Sequence, residues 1–550
     1  MNTRTTAVPD LSPPVSAQCR APFAEALRTH AGRGWLRLNV PGHAAEPDSF
    51  GPLAGTFGPE PLRLDFPPLL EGLDLGTATP MDEALALAAE AWGARRTWFL
   101  TNGASQGNHI ASLVAPALGR TLVVQRSVHS GVIDGLVLSG LKAAFVQPSV
   151  DKEQGIAHGV TAEDLAAAIA RHPDAAAAYV VSPSYFGAVA DVRALAEVAH
   201  CAGIPLIVDE AWGAHFGFHP RLPGNALSQG ADLVTSSTHK LAGSLTQSAM
   251  LHLGHGPFAD VLEPLIDRAF RLVQSTSSSA LLLASLDLAR MTLMAGRDAI
   301  GASVEAADAI RQVIRSVGRF AVVSDGFGRF PDIVTADPLR IAIDTRAGGI
   351  PGHEARRRLS RDHRIMVEVA TDSAIVAVVG AGSAPGTDRF IEALHALPSP
   401  LAGTGPEGTG TGNTGTGNTG TGNTGTGNTG TGDSLGSTGL GSADERLRLS
   451  LPQPGPSRLT AREAFMSPTR VVPAAKAVGL ISADTLAAYP PGIPNVLPGE
   501  VITAETVRFL QRTASAPSDH VRGAVDPGVS HMRVVDPSRV VDAAATARAD

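Results

Sequence analysis

Two cysteines among 550 residues, Cys19 and Cys201, are too few and too far apart for a disulfide framework or a cysteine-built metal centre. That usage suits a reducing cytoplasm. No run of about 18 apolar residues occurs, so no membrane span is expected. The Pro-rich, polar N-terminus lacks the apolar core of a secretory signal. Aromatic residues are scarce, at 4%. Basic charge is not in excess either. Lys and Arg number 44 against 52 Asp and Glu, a formal charge of −8, which leaves no footprint for nucleic acid or an acidic membrane. What is present is 43% apolar residues and length for several domains, as in a large α/β enzyme.

From about 82 to 310, helical patterns alternate with short apolar strands. The strands are Thr121–Val124, Ala143–Val146, Ala178–Val181 and Ile204–Val208, and the helices are Glu83–Trp92, Ala162–Arg171 and Val192–His200. This βαβ rhythm predicts a mostly parallel sheet covered on both faces, with ligands at the carboxyl ends of its strands. Residues 1–20 read as a flexible arm and 21–310 as the large domain. Residues 311–402 read as a small α+β domain, with strands at Arg340–Ile343 and Ala374–Val379. A Gly-Thr-Gly-Asn-Thr repeat fills 403–442 and offers almost no apolar surface, so a linker is expected there rather than a structured glycine-rich repeat. A C-terminal α+β domain, 443–541, and a tail, 542–550, complete the chain.

Lys240 follows the strand-like Asp232–Thr235, and Asp209 ends the strand Ile204–Val208. A lone lysine after a strand is ordinarily a solvated surface residue, and an aspartate there can cap a helix or bind a metal. Together at the mouth of a parallel sheet they suit pyridoxal 5'-phosphate (PLP). The lysine forms a Schiff base with the aldehyde, and the aspartate keeps the pyridine nitrogen protonated so that the ring acts as an electron sink. No cluster of His and carboxylates at metal spacing competes with that reading. Thr101–Asn108 lies between the strand Trp98–Leu100 and a helix at Ile110–Ala117. Its small residues allow backbone N–H groups to close on a phosphate, with the Ser105 hydroxyl added, although a tight turn without a ligand reads the same way. His129 follows Thr121–Val124, where it serves either as a flat ring stacked on the cofactor or as a structural histidine.

These segments, in this order, resemble the Orn/Lys/Arg decarboxylases: Pro41-Gly42-His43, Asn102–Asn108, His129-Ser130, Ser182–Gly187, Asp209–Phe216, Ser237–Lys240, Leu245-Thr246-Gln247 and Tyr489–Glu500. The most specific is Tyr489-Pro490-Pro491-Gly492-Ile493-Pro494 followed by Pro498-Gly499-Glu500, which general aminotransferases lack. The resemblance implies PLP fold type I, with a mostly parallel central sheet, a small α+β domain and a C-terminal α+β domain. It makes Lys240 the Schiff-base lysine, Asp209 the pyridine partner and His129 the stacking residue. It places Ala104, Ser105, Ser237 and His239 at the phosphate or cofactor cup and Ala211 on the opposite ring face. It gives the Ser275–Ser277 stretch, with Thr276, to a neighbouring subunit's phosphate, and hence implies a homodimer or higher homo-oligomer with shared sites. Only about forty residues precede Pro41, which suggests the shorter biosynthetic type without an N-terminal wing domain.

The implied reaction is decarboxylation of arginine, lysine or ornithine, with His239 or Lys240 returning the proton to Cα. Glu500 is the candidate partner for the substrate's distal cation, unless it merely caps a helix near Thr503–Glu505. Two other readings remain at this level. An aminotransferase of the same fold would need an arginine clamp for the carboxylate, which Arg340 or Arg356–Arg358 could supply. A non-catalytic relative would not need the intact Lys240 and Asp209.

Overall fold

The computed structural model describes residues 17–46, 51–383, 386–398, 452–489, 493–515 and 520–539. The 403–442 repeat and the tail after 541 lie outside them, as does most of the arm.

A seven-stranded sheet organises the chain. Its strand order is Arg96–Leu100, Ala249–Leu253, Leu233–Ser236, Leu206–Asp209, Ala175–Val181, Thr121–Gln125, Lys142–Val146. Ala249–Leu253 pairs antiparallel with both of its neighbours, and the other pairings are parallel. The central strands Ala175–Val181, Leu206–Asp209 and Leu233–Ser236 are short and buried end to end, as a sheet covered on both faces requires. Helices supply the cover. Pro80–Trp92 begins at a capping box, in which the Thr79 hydroxyl accepts from Asp82 N–H and the Asp82 carboxylate accepts from Thr79 N–H. Its Trp92 is buried, with Nε1 donating to the Ala214 carbonyl at 3.2 Å.

Two departures from the sequence reading have physical causes. The helix Arg297–Val317 runs straight through position 310, so the boundary expected there falls inside a continuous element. Nothing in its sequence breaks a helix before Gly318, which takes the left-handed conformation at the C-cap. Residues 17–20 are not loose, because the buried Arg290 guanidinium holds the carbonyls of Gln18 and Arg20. Thr238–Leu241 forms one helical turn, so Lys240, expected just after a strand, sits on that turn.

The second sheet has four antiparallel strands, in the order Ala321–Val322, Arg340–Asp344, Ala374–Val378, Val369–Ala370. It is tied to the large sheet's rim by a fully buried pair, His215 Nε2 and Asp337 Oδ1 at 3.0 Å. After residue 451, Leu486–Tyr489 pairs with Pro494–Val496 and with His520–Arg522, and Thr469–Pro473 pairs with His531–Val535.

The helix Gly103–Val114 meets the sheet at Gly107. A Cβ there would stand 2.5 Å from Thr235 Cγ2 and 2.8 Å from Thr235 Oγ1. Thr235 is fully buried and β-branched, so it has little room to yield. Gly107→Ala is therefore expected to cost about 1–3 kcal/mol of stability, read as a lowered urea midpoint. An unchanged midpoint would show that helix and strand separate freely.

Candidate active site

The carboxyl ends of the central strands enclose a cavity of about 200 Å³. Ala104, Ser105, His129, Asp209, Ala211, Ser237, His239 and Lys240 all line it. Gly103, Asn108, Val181, Tyr185 and Trp212 complete the wall.

Strand pairing explains why Asp209 and Lys240 meet. Asp209 is the last residue of its strand and lies opposite Thr235 in the parallel ladder. Lys240 is five positions further on, one helical turn past the neighbouring strand's end. The Asp209 carboxylate is buried and anchored at both oxygens. Asn108 Nδ2 donates to Oδ2 at 3.0 Å, and Ala211 N–H donates to Oδ1 at 3.1 Å. The Tyr179 hydroxyl in turn donates to Asn108 Oδ1 at 2.9 Å. Burial pushes the Tyr179 phenol well above its ordinary pKa, so it remains a donor. Asn108 and Tyr179 were not assigned roles from sequence. Asn108 was visible only as the end of a turn motif, and Tyr179 only as a strand residue.

Lys240 Nζ lies 3.8 Å from the Trp212 ring centroid, and the Arg340 guanidinium carbon lies 3.9 Å from the same centroid. Burial lowers the Lys240 pKa to about 8, opposed by Asp209 and reinforced by Arg340. A substantial fraction of the amine is thus neutral, as a nucleophile must be. Burial likewise brings Arg340 down to about 10, although a guanidinium there stays charged near neutrality. Arg340 also donates to the Tyr185 carbonyl. Arg357 and Arg358 pair instead with Glu354 on the helix Gly352–His363.

Two histidines are held in defined tautomers. His129 is the N-cap of Ser130–Ser139, and its Nδ1 accepts from Gly131 N–H at 3.0 Å, which leaves the proton of the neutral ring on Nε2. Burial lowers its pKa, against the pull of Asp209. His239 Nδ1 donates to the Ser248 carbonyl at 2.7 Å, and burial favours its neutral form also.

Two expected residues are not in the cavity wall. Thr276 is exposed on the segment after the helix Ala259–Val273. Glu500 is 2% exposed, with its carboxylate already engaged. Arg126 Nη2 lies 3.2 Å from Glu500 Oε2, and Leu497 N–H donates to the same oxygen at 2.9 Å. Glu500 therefore neutralises a buried arginine, away from the cavity wall. Nor does it cap the helix Ala504–Ser515, since Thr503 Oγ1 accepts from Thr506 N–H at 3.1 Å.

Comparison with known proteins identifies the family. The Orn/Lys/Arg decarboxylase major domain matches residues 21–328, and the C-terminal domain of the same family matches 447–520. The chain belongs to the Orn/Lys/Arg decarboxylase family. Membership makes it an amino-acid decarboxylase of basic substrates and implies PLP as cofactor. It is 29% identical to an arginine decarboxylase of Bacillus subtilis over 529 residues, covering 96% of this chain and 100% of that one. It is 31% identical to an arginine decarboxylase of Halalkalibacterium halodurans over 537 residues, covering 95% of this chain and 99% of the relative. Among solved structures, lysine decarboxylase A of Pseudomonas aeruginosa superposes with a TM-score of 0.73 at 21% identity, over 94% of this chain and 81% of that one. That likeness establishes the fold as PLP fold type I.

In the cofactor-free chain of this decarboxylase, the Lys240 amine should titrate near pH 8. Its labelling by an amine-specific reagent, followed by peptide mass spectrometry, should rise with pH and reach half its maximum there. A midpoint near the ordinary lysine value would mean that the cavity does not desolvate Nζ.

Proposed function

We propose that the chain is a PLP-dependent arginine decarboxylase, releasing CO2 and the corresponding amine for polyamine synthesis. The observation that carries the reading is the convergence of Lys240, Asp209, His129 and Ser105 on one cavity. Arginine is chosen over lysine and ornithine because relatives named arginine decarboxylase align over nearly their whole length at 29–31% identity. A relative named lysine decarboxylase, from Pseudomonas aeruginosa, aligns at 24% over 75% of its length.

The residues present fit the cofactor. Lys240 offers a partly neutral amine for the aldehyde, and Asp209 offers a buried carboxylate for the pyridine nitrogen. Ala104 and Ser105 lie in the first turn of the helix Gly103–Val114, where N–H groups have no partner within the helix and suit a phosphate, while Gly103 N–H donates to the Gln247 carbonyl at 2.7 Å. His129 and Ala211 are the candidates for the two ring faces, and Ser237 and His239 for the rim of the cup. When bound, PLP supplies an electron sink for the charge left at Cα as CO2 departs.

The chain's own groups do the rest. Asn108 and Ala211 N–H hold the Asp209 carboxylate in place, so that it faces the ring without reorganising. Val181, Tyr185 and Trp212 present apolar surface where the substrate carboxylate would shed water. His239 has its Nδ1 proton committed to Ser248, so its Nε2 carries a lone pair and not a proton. Lys240 Nζ is then the better proton donor to Cα.

Thr276 is proposed to reach the cofactor of a second subunit, which its exposed position permits. A homodimer and a cytoplasmic location belong to the same proposal. The free thiols of Cys19 and Cys201 suit a reducing compartment. Among the described residues no helix is long and apolar enough to cross a membrane.

The test supplies arginine, lysine and ornithine in turn and measures CO2 with the product amine. Arginine is expected to give the highest kcat/KM, with CO2 and amine in equal amounts, and Asp209→Asn to lose several orders of magnitude in rate. Keto acid in place of CO2 would mean an aminotransferase, and preference for lysine or ornithine would overturn the substrate assignment.

A further inference from the structure

The C-terminal unit reaches the cofactor site through one helix. Ser130–Ser139 carries His129 as its N-cap and is held by that unit at both ends. At its start, Arg522 Nη1 donates to the buried Ser130 hydroxyl at 2.7 Å. At its end, Arg462 Nη1 donates to the Leu138 carbonyl at 3.1 Å. Four residues before Ser130, Arg126 Nη1 donates to the Pro494 carbonyl at 2.8 Å and pairs with Glu500.

The Arg522 contact differs from the other two in what lies behind it. Ser130 is the residue after His129, and the next residue, Gly131, gives its N–H to His129 Nδ1. A Cβ on Gly131 would stand 3.4 Å from both Cα and Oγ of Ser105. The first turn of this helix is thus wedged between the His129 ring and the Ser105 end of the cup. Whatever fixes Ser130 fixes both. The Arg522 charge is also close enough to His129 to favour its neutral ring, in the same direction as burial and Lys240. Arg522 itself is set by strand pairing, opposite Ala487 in the C-terminal sheet.

We infer that Arg522 is a positioning residue for the cofactor: by holding the Ser130 hydroxyl, it orients His129 against the ring and presses the helix start onto the Ser105 cup. The C-terminal unit is then part of the cofactor site, although none of its described residues lines the cavity. This rests on the reading of the cavity as a PLP site.

The test compares holoenzyme preparations of wild type, Arg522→Ala, Arg522→Lys and Arg462→Ala. PLP dissociation constants and the visible circular dichroism of the bound cofactor are measured beside Tm. Arg522→Ala is expected to weaken PLP binding about tenfold, as loss of a charge-assisted hydrogen bond does, and to alter the dichroic band. Arg522→Lys should recover most of both. Arg462→Ala, which removes a docking contact at the far end of the same helix, should change Tm while PLP affinity stays within about twofold. Equal loss of PLP affinity in the Arg522→Ala and Arg462→Ala variants would reduce Arg522 to general docking and overturn the inference. So would wild-type affinity and dichroism in Arg522→Ala. Absence of PLP binding by the wild type would instead remove the cofactor reading on which the inference rests.

Discussion

Asp209 stands opposite Thr235 in a parallel ladder, and that single register brings a carboxylate and an amine to one rim. A slip of one residue would turn each side chain of the strand to the other face of the sheet. The register is guarded from both sides. Gly107 lets the helix Gly103–Val114 touch Thr235, and the same helix delivers Asn108 to Asp209 one turn away from the Ser105 cup. A buried carboxylate is costly unless its oxygens are occupied. Here Asn108 and a backbone N–H occupy them, and Tyr179 occupies Asn108. The cofactor-facing charge thus comes with its own scaffold of neutral donors.

Burial acts differently on the three kinds of charge in this region. It drives Lys240 toward a neutral amine, which the chemistry requires, and it keeps His129 and His239 neutral, leaving their Nδ1 hydrogen bonds to fix the tautomers. It leaves Arg126 and Glu500 needing each other. Burial pushes the arginine down and the glutamate up, while each partner opposes the shift. Removing one alone would strand the other, a loss of roughly 3–5 kcal/mol for a buried pair. That pair joins segments 374 positions apart and closes the C-terminal unit onto the strand end that leads to His129.

The parts of this arrangement visible in the sequence are those carried by short, contiguous signals. Alternating strands and helices disclosed the parallel sheet, and Lys240, Asp209, Ser105 and His129 each follow a recognisable strand. What stayed hidden depends on distant residues. Glu500 looked like an anchor for a substrate cation because it follows the proline-rich segment Tyr489–Pro494, but its partner, Arg126, could be known only from the folded chain. Asn108 and Tyr179 have no local signature for a role behind Asp209. The boundary expected at 310 illustrates the opposite case, since it falls inside one continuous helix, Arg297–Val317. Trp212 shows the same limit: its neighbours in sequence suggest a loop after a strand, yet its ring lies against both Lys240 and Arg340.

The most direct measurement of the central claim is borohydride reduction of the purified protein, followed by peptide mass spectrometry. Lys240 is expected to carry the reduced phosphopyridoxyl group, with loss of the cofactor's visible absorbance band. The label on another lysine, or no label on protein supplied with PLP, would contradict the account.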